Sequence, residues 1–396
     1  MTDFMQWAER DGNLVDDLAD ARSGQGDGAS TSADVTPSAP DLTKLSSDAR
    51  RAVGCLLGGA VGDALGARVE FMSWEEIRRG FGERGIRSMA PAYGRRGAIT
   101  DDTQMMLFTA EGLLRALVRM RDNGSCHIPA VLHHALQRWL ITQGVEPRLS
   151  PSRDGWLMGE QALWSQRAPG NTCLSALTAS KDFGTWATND SKGCGGVMRV
   201  APCAFLFDAF EVAAESARLT HGHPTGYLAA GLFADVLHRL WKQQQPLERA
   251  VVDALQEHGG KDGMQETRDI LERVLWLHHR QLRPDPAAIA RLGGGWVAEE
   301  ALAIGVWCAL AADSLEEGIV LAVNHSGDSD STGMIAGNIL GLIHGPQAIP
   351  RVWLDDLELR EVITRIAVDL TDIPARYEPL NDEPEQQQIR ARYPGW

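Results

Sequence analysis

Apolar residues recur three and four positions apart along most of the chain beyond residue 46, and they rarely alternate. That period belongs to amphipathic helices and not to half-buried strands. The run 103–121 is typical, with Met106, Ala110, Leu113, Leu114 and Leu117 falling on one face. Similar patterns predict helices over 128–143, 210–219, 225–242, 246–257, 264–279, 297–312, 314–324, 331–343 and 355–370. Ser46-Ser47-Asp48 reads as the cap that opens the folded body. His133 and His134 are expected to be partly exposed on the 128–143 helix. Residues 72–99, with Gly80, Gly82, Gly85, Pro91, Gly94 and Gly97, predict a turn or two of helix and then an irregular loop. Residues 144–172, with Pro147, Pro151, Pro169 and Gly170, predict a loop. No βαβ rhythm or fixed-period repeat appears, so the expected fold class is all-α.

Within this pattern one feature is costly. Gly54, Gly58, Gly62 and Gly66 recur every four residues, and Gly333, Gly337 and Gly341 repeat the spacing near the C-terminus. Each glycine inside a helix costs about 1 kcal/mol relative to alanine. Two such stripes predict that these helices lie against each other, or against close neighbours, at the centre of the fold. The alternative is that Gly62–Gly66 has already left the helix.

The N-terminal segment reads differently. Residues 1–22 are acidic and carry Phe4, Trp7, Leu14, Val15 and Leu18, and residues 23–44 are rich in Ser, Gly, Thr, Ala and Pro. The latter composition makes a flexible linker. The expected organisation is an extension over 1–45, a helical domain over 46–380 and a C-terminal tail over 381–396.

Composition narrows the function. The 396 residues carry a formal net charge of −15 with pI near 5.2, and 44% are hydrophobic. That supports a sizeable core and argues against nonspecific binding to nucleic acid or to acidic membranes. Cys55, Cys126, Cys173, Cys194, Cys203 and Cys308 form no CxxC pair, as expected of reduced intracellular thiols. No secretory leader and no apolar run of about 18 residues is seen, so a cytoplasmic protein is expected.

Two clusters carry candidate chemistry. Thr100-Asp101-Asp102-Thr103 opens one predicted helix, and Asp328-Ser329-Asp330-Ser331-Thr332 opens another. Hard divalent cations want such a density of oxygen ligands. A capped helix with a polar loop is the simpler reading, but one carboxylate and one hydroxyl would suffice for it. Adjacent carboxylates repel unless a cation or hydrogen-bond donors offset them. Two clusters therefore suggest one site with two metal ions, roughly 3.5–4 Å apart.

Gly-Asp-Ala-Leu-Gly-Ala-Arg-Val-Glu-Phe (62–71), Thr-Asp-Asp-Thr (100–103), Gly-Cys-Gly-Gly-Val-Met-Arg (193–199), Thr-His-Gly-His-Pro (220–224) and Gly-Asp-Ser-Asp-Ser-Thr-Gly (327–333) follow one another in that order. Together they resemble the ADP-ribosylglycohydrolase family, over about residues 50–375. The resemblance implies a compact, mainly orthogonal α-helical domain that cleaves ADP-ribose from protein side chains, foremost from arginine, with serine and acetyl linkages as other options in the family. It implies two magnesium or manganese ions held by Thr100, Asp101, Asp102, Asp328, Asp330 and Ser331, with Asp102 and Asp328 also placed at the chemistry. It puts Glu70 near the scissile ribose, although on sequence alone Glu70 reads equally as a surface residue or a cap before Ser73. Gly193, Cys194, Gly195 and Gly196 would cradle the diphosphate, and His221 would contact ribose or phosphate. Asp63 is expected to orient ligands, and His223 is the less certain histidine. The Gly170-Asn171-Thr172 stretch lacks an acid that some members carry there, which leaves the general base open. Besides an ADP-ribosylated protein, the resemblance suggests a second partner. An ADP-ribosyltransferase toxin could be bound and neutralised through residues 1–45, as an immunity protein would do.

Overall fold

The computed structural model describes residues 40–395 of the chain. The expectations for residues 1–39, including Phe4 and Trp7, lie outside the described residues. Sixteen α-helices follow in order among the described residues: α1 (Ser47–Gly66), α2 (Trp74–Phe81), α3 (Asp101–Asn123), α4 (Ile128–Thr142), α5 (Asn171–Ala179), α6 (Ala209–Arg218), α7 (Pro224–His238), α8 (Leu247–His258), α9 (Gln265–His279), α10 (Pro286–Ile289), α11 (Ala298–Ala311), α12 (Leu315–Val323), α13 (Ser329–His344), α14 (Arg351–Asp356), α15 (Arg360–Arg376) and α16 (Pro384–Arg392). The only β-ladder among these residues is the two-residue antiparallel pair β1 (Pro91–Ala92) and β2 (Arg95–Arg96) in the glycine-rich loop. The fold is all-α. No described helix is long and apolar enough to cross a membrane.

Local chemistry explains where the helices begin. Ser46 Oγ accepts from the Ala49 amide at 3.1 Å and caps α1. Ser73 and Glu76 form a reciprocal capping box on α2. Thr100 Oγ1 accepts from the Asp102 amide at 3.3 Å at the start of α3. Asp328 occupies the N-cap position of α13, yet its side chain makes no capping bond. The predicted 225–242 helix ends earlier than its periodicity suggested, at His238, and passes into a short π-helical stretch over Arg239–Gln243. The predicted 355–370 helix is displaced: the chain breaks at Leu357 and resumes as α15. Helix α5 begins inside the predicted loop 144–172. Its apolar positions are too few to show periodicity, and only Cys173 and Leu177 are buried. His133 and His134 are buried, not partly exposed. Helix α4 is covered on that face by the 180–184 loop, where Phe183 stacks on His134 with ring centroids 3.4 Å apart.

α1 and α13 pack backbone to backbone at the centre. A Cβ on Gly54, Gly58 or Gly62 would overlap the carbonyl oxygen of Gly341, Gly337 or Gly333 respectively. A Cβ on Gly66 would run into the backbone of Asp330 and Ser329. The stripe is therefore helical to its last member, and Gly62–Gly66 is not a loop. Asn338 joins the same seam, its Nδ2 donating to Cys55 O at 2.9 Å. α3, α11, α12 and α15 surround this pair, and sixteen of the twenty α1 residues are buried.

A second buried contact ties α3 to α4 and to the C-terminus. Glu111 lies between Arg115 and Arg138, each guanidinium 3.3 Å from it and all three side chains fully enclosed. Arg115 also donates to Pro394 O at 3.3 Å, and the buried Tyr393 hydroxyl donates to Asp369 at 2.7 Å. Residues 381–395 are thus α16 and a segment fastened to the body.

Substitution at the seam should separate close approach from helix propensity. Gly58→Val should destabilise the protein by about 2–3 kcal/mol or more, because the two backbones must part. Gly80→Ala, in exposed α2 with open space around it, should be neutral or stabilise by about 0.4–1 kcal/mol. Urea denaturation of both variants checks this; equal effects would refute the seam.

Candidate active site

Three backbone segments bring the acidic side chains together. The end of α1 supplies Asp63, and the turn that follows it supplies Glu70. The starts of α3 and α13 supply the two clusters. Because Gly66 lets α13 approach so closely, the Asp330 backbone lies directly against the end of α1.

Asp63 holds the first cluster in place. Its carboxylate accepts from the Thr100 amide at 3.1 Å, the Thr103 amide at 3.2 Å and the Thr103 hydroxyl. Thr100 is thereby fixed at the cap, and Asp101 and Asp102 project from the first turn. Asp101 Oδ2 accepts from the Gly170 amide at 3.1 Å. Asp102 Oδ2 accepts from Ser331 Oγ at 2.8 Å, so the two clusters meet directly. The segment before Thr100 is held from outside by Glu358, which accepts from the Ile99 amide at 3.2 Å and pairs with Arg167 at 3.3 Å.

Glu70, Asp328 and Asp330 each present a carboxylate oxygen within 4.8 Å of the others. Glu70 is 6% exposed, Asp101 5%, Asp102 3%, Asp328 3% and Asp330 2%. Burial, reinforced by the neighbouring carboxylates, pushes the pKa of Glu70 up to about 12 and that of Asp63 up to about 7. Asp101, Asp102, Asp328 and Asp330 are raised by the same burial. Three buried oxygens, Glu70 Oε2, Asp328 Oδ2 and Asp330 Oδ1, accept no hydrogen bond from the protein. Unpaired buried carboxylate oxygens are expensive, and all-oxygen donors of this kind suit magnesium, manganese or calcium. The donor set fits a hard divalent cation. A second acidic group among the described residues, Asp235 with Glu257 and His258, does not. There Arg239 donates to Asp235 at 2.8 Å and to Glu257 at 2.5 Å, so the cation is already a guanidinium.

The glycine run adjoins the cluster through Cys194, which lies near the Asp328 and Asp102 carboxylates. Burial and the Asp328 and Asp102 charges push that thiol well above its ordinary pKa, which does not suit a nucleophile. The Gly193 amide donates to Ser191 Oγ at 3.3 Å and the Cys194 amide to Trp296 O at 3.1 Å. Cys194–Gly196 form a short 3₁₀ turn. His221 faces it: a Cβ on Gly195 would lie 3.1 Å from the ring. Burial holds the His221 pKa down to about 3, so the ring is neutral, with Nδ1 bonded to Thr220 Oγ1 at 2.8 Å. His223 instead caps α7, its Nδ1 accepting from the Thr225 amide at 3.2 Å.

Thr100, Asp101, Asp102, Asp328, Asp330 and Ser331 thus share one enclosure with Glu70, and Gly193–Gly196 with His221 form its adjoining wall. Sequence reasoning gave no part to several residues that shape this enclosure. Arg199, fully buried, donates to Gly195 O, Ser216 O and Thr220 Oγ1, each at 2.8 Å, and so fixes both the glycine turn and the His221 segment. It lies inside the 193–199 motif, which was the available signal. Tyr93, with the Arg167 guanidinium 5.2 Å from its ring centroid, faces the carboxylates from the 72–99 loop. Nothing in the local sequence marks it.

The ADP-ribosylglycohydrolase family model matches residues 45–379. The chain belongs to this family. Among its relatives is the ADP-ribosyl-[dinitrogen reductase] glycohydrolase of Rhodospirillum rubrum, 27% identical over 78% of this chain and 91% of that protein. Another is the ADP-ribosylarginine hydrolase Tri1 of Serratia proteamaculans, 24% identical over 84% of this chain and 81% of that one. A solved structure described as an ADP-ribosylglycohydrolase-related protein complex superposes with TM-score 0.61 at 26% identity, covering 83% of this chain and 99% of that one. The all-α architecture is therefore the family's.

The raised carboxyl pKa values carry a linkage consequence. Protons that the unfolded chain releases near pH 4 stay bound in the cation-free folded protein, so its stability falls as pH rises through the Asp63 value of about 7. A divalent cation held by the folded state would compete with those protons. The rise in melting temperature on adding magnesium or manganese should therefore grow between about pH 5 and pH 8. Thermal scans across that range, with and without chelator, check it; a cation effect that is absent or shrinks with pH would refute it.

Proposed function

We propose that this family member is a metal-dependent hydrolase that removes ADP-ribose from modified protein side chains, foremost from arginine. The observation that carries the reading is the convergence of Glu70, Asp328 and Asp330, with unpartnered buried oxygens, beside a glycine turn and a neutral histidine. The family supports ADP-ribosyl hydrolysis, and the names of the two relatives support protein-linked, specifically arginine-linked, substrates.

In this reading Thr100, Asp101, Asp102, Asp328, Asp330 and Ser331 hold two divalent cations, magnesium or manganese. When bound, such ions orient sugar hydroxyls and lower the pKa of a ligated water. The chain's own groups do the rest. The Gly193–Gly196 turn receives the diphosphate, with Gly195 and Gly196 as its approach to the phosphate oxygens, because the Gly193 and Cys194 amides already donate within the protein. His221, neutral and fixed through Thr220, contacts the ribose or phosphate. Glu70 positions the attacking water at the anomeric carbon, where an oxocarbenium-like charge develops as the bond to guanidine breaks. The carboxylates surrounding that carbon favour the positive charge. Asp63 orients the Thr100–Thr103 turn.

The test is incubation with arginine-, serine- and acetyl-linked ADP-ribose, with and without magnesium or manganese. Free ADP-ribose should appear from the arginine linkage and only with a divalent cation. Glu70→Gln should lower kcat by about 10²–10⁴-fold, and Asp102→Asn and Asp328→Asn should remove most turnover while the far-UV helical signal stays unchanged. Near wild-type turnover in Asp328→Asn, or release without added cation after chelation, would refute the assignment.

A further inference from the structure

Two large aromatic rings lie stacked at the surface beside this site. Phe71 and Trp296 have centroids 5.8 Å apart and planes 17° from parallel. They are 66% and 44% exposed, two of five exposed aromatic side chains among the described residues. Single exposed apolar residues need no explanation. A stacked Phe–Trp pair at the mouth of a site does, because such rings supply much of the binding energy at protein contacts.

Both rings stand on segments that build the site. Phe71 directly follows Glu70. Trp296 O accepts from the Cys194 amide at 3.1 Å, and two residues earlier Gly294 O accepts from the Asp328 amide at 2.8 Å. The pair thus bridges the Glu70 turn and the loop that anchors both Asp328 and the glycine turn. The carboxylates below are 2–6% exposed, so they lie beneath the surface. Whatever the sugar is attached to must emerge past the rim. The phosphate side of the glycine turn faces His221. Phe71 instead adjoins Glu70, which the proposed function places at the bond to be broken. Phe71 therefore stands at the leaving-group end, and Trp296, stacked on it, joins that end to the glycine turn.

We propose that Phe71 and Trp296 form a recognition platform for the target polypeptide on either side of its modified residue, an inference that rests on the function proposed above. Aliphatic stems and guanidinium or ammonium groups both pack on aromatic faces, so the platform suits an apolar or basic segment around the modified arginine. It sets which target is read without entering the chemistry.

The experiment compares two substrates, a protein ADP-ribosylated on arginine and the single amino acid ADP-ribosyl-arginine. The quantity measured is the ratio of kcat/KM for the first over the second. Phe71→Ala and Trp296→Ala should each lower that ratio about tenfold, mainly through KM for the protein. Phe71→Trp and Trp296→Phe, which keep a stacked pair, should retain most of it. A ratio unchanged in the alanine variants overturns the platform. So does an equal loss on both substrates, which would place the rings against ADP-ribose itself. If the wild-type protein cleaves neither substrate, the function proposed above falls, and the platform falls with it.

Discussion

The structure depends on the contact between the backbones of α1 and α13. Two helices ordinarily stay apart by the width of their side chains, about 8–10 Å between axes. Here a missing Cβ at Gly54, Gly58, Gly62 and Gly66, answered by Gly333, Gly337 and Gly341, removes that spacing. The seam runs the length of both helices and ends at Asp330. Core packing and site assembly are therefore one constraint, since whatever separates the helices also withdraws one acidic cluster from the other.

Around that seam the protein tolerates an arrangement that opposes its own stability. Six carboxylates are enclosed with no lysine or arginine of the described residues among their direct partners, and their raised pKa values register the conflict. Elsewhere the same chain neutralises buried charge with guanidinium groups, as at Glu111 between Arg115 and Arg138. The contrast is informative. Glu70, Asp328 and Asp330 have no tethered cation, and Asp235 with Glu257, already served by Arg239, shows what a filled cluster looks like.

Rigidity is supplied from outside the acidic cluster. Arg199 fixes the glycine turn by its carbonyl, Glu358 and Arg167 brace the segment before Thr100, and Asp63 ties Thr100 to Thr103. Glu70, Asp328 and Asp330 keep unpartnered oxygens, while the groups behind them bond to backbone and to one another. This division lets the site hold its shape without its ligand.

Much of this was legible in the chain itself. Helical periodicity, the Ser46 cap, the two glycine stripes and the two acidic helix starts are local patterns, because capping and 3.6-residue spacing act over a single turn. Five short motifs in order were enough to mark the family. Tertiary structure decided the rest. It buried His133 and His134 by laying Phe183 across them, and it made α5 helical with only two buried residues. It put the Cys194 amide on Trp296 and not toward a ligand, and it brought Tyr93 and Trp296 to the site from segments with no local signature. Those outcomes depend on which surfaces meet between segments far apart in the chain, and no spacing within one helix encodes that.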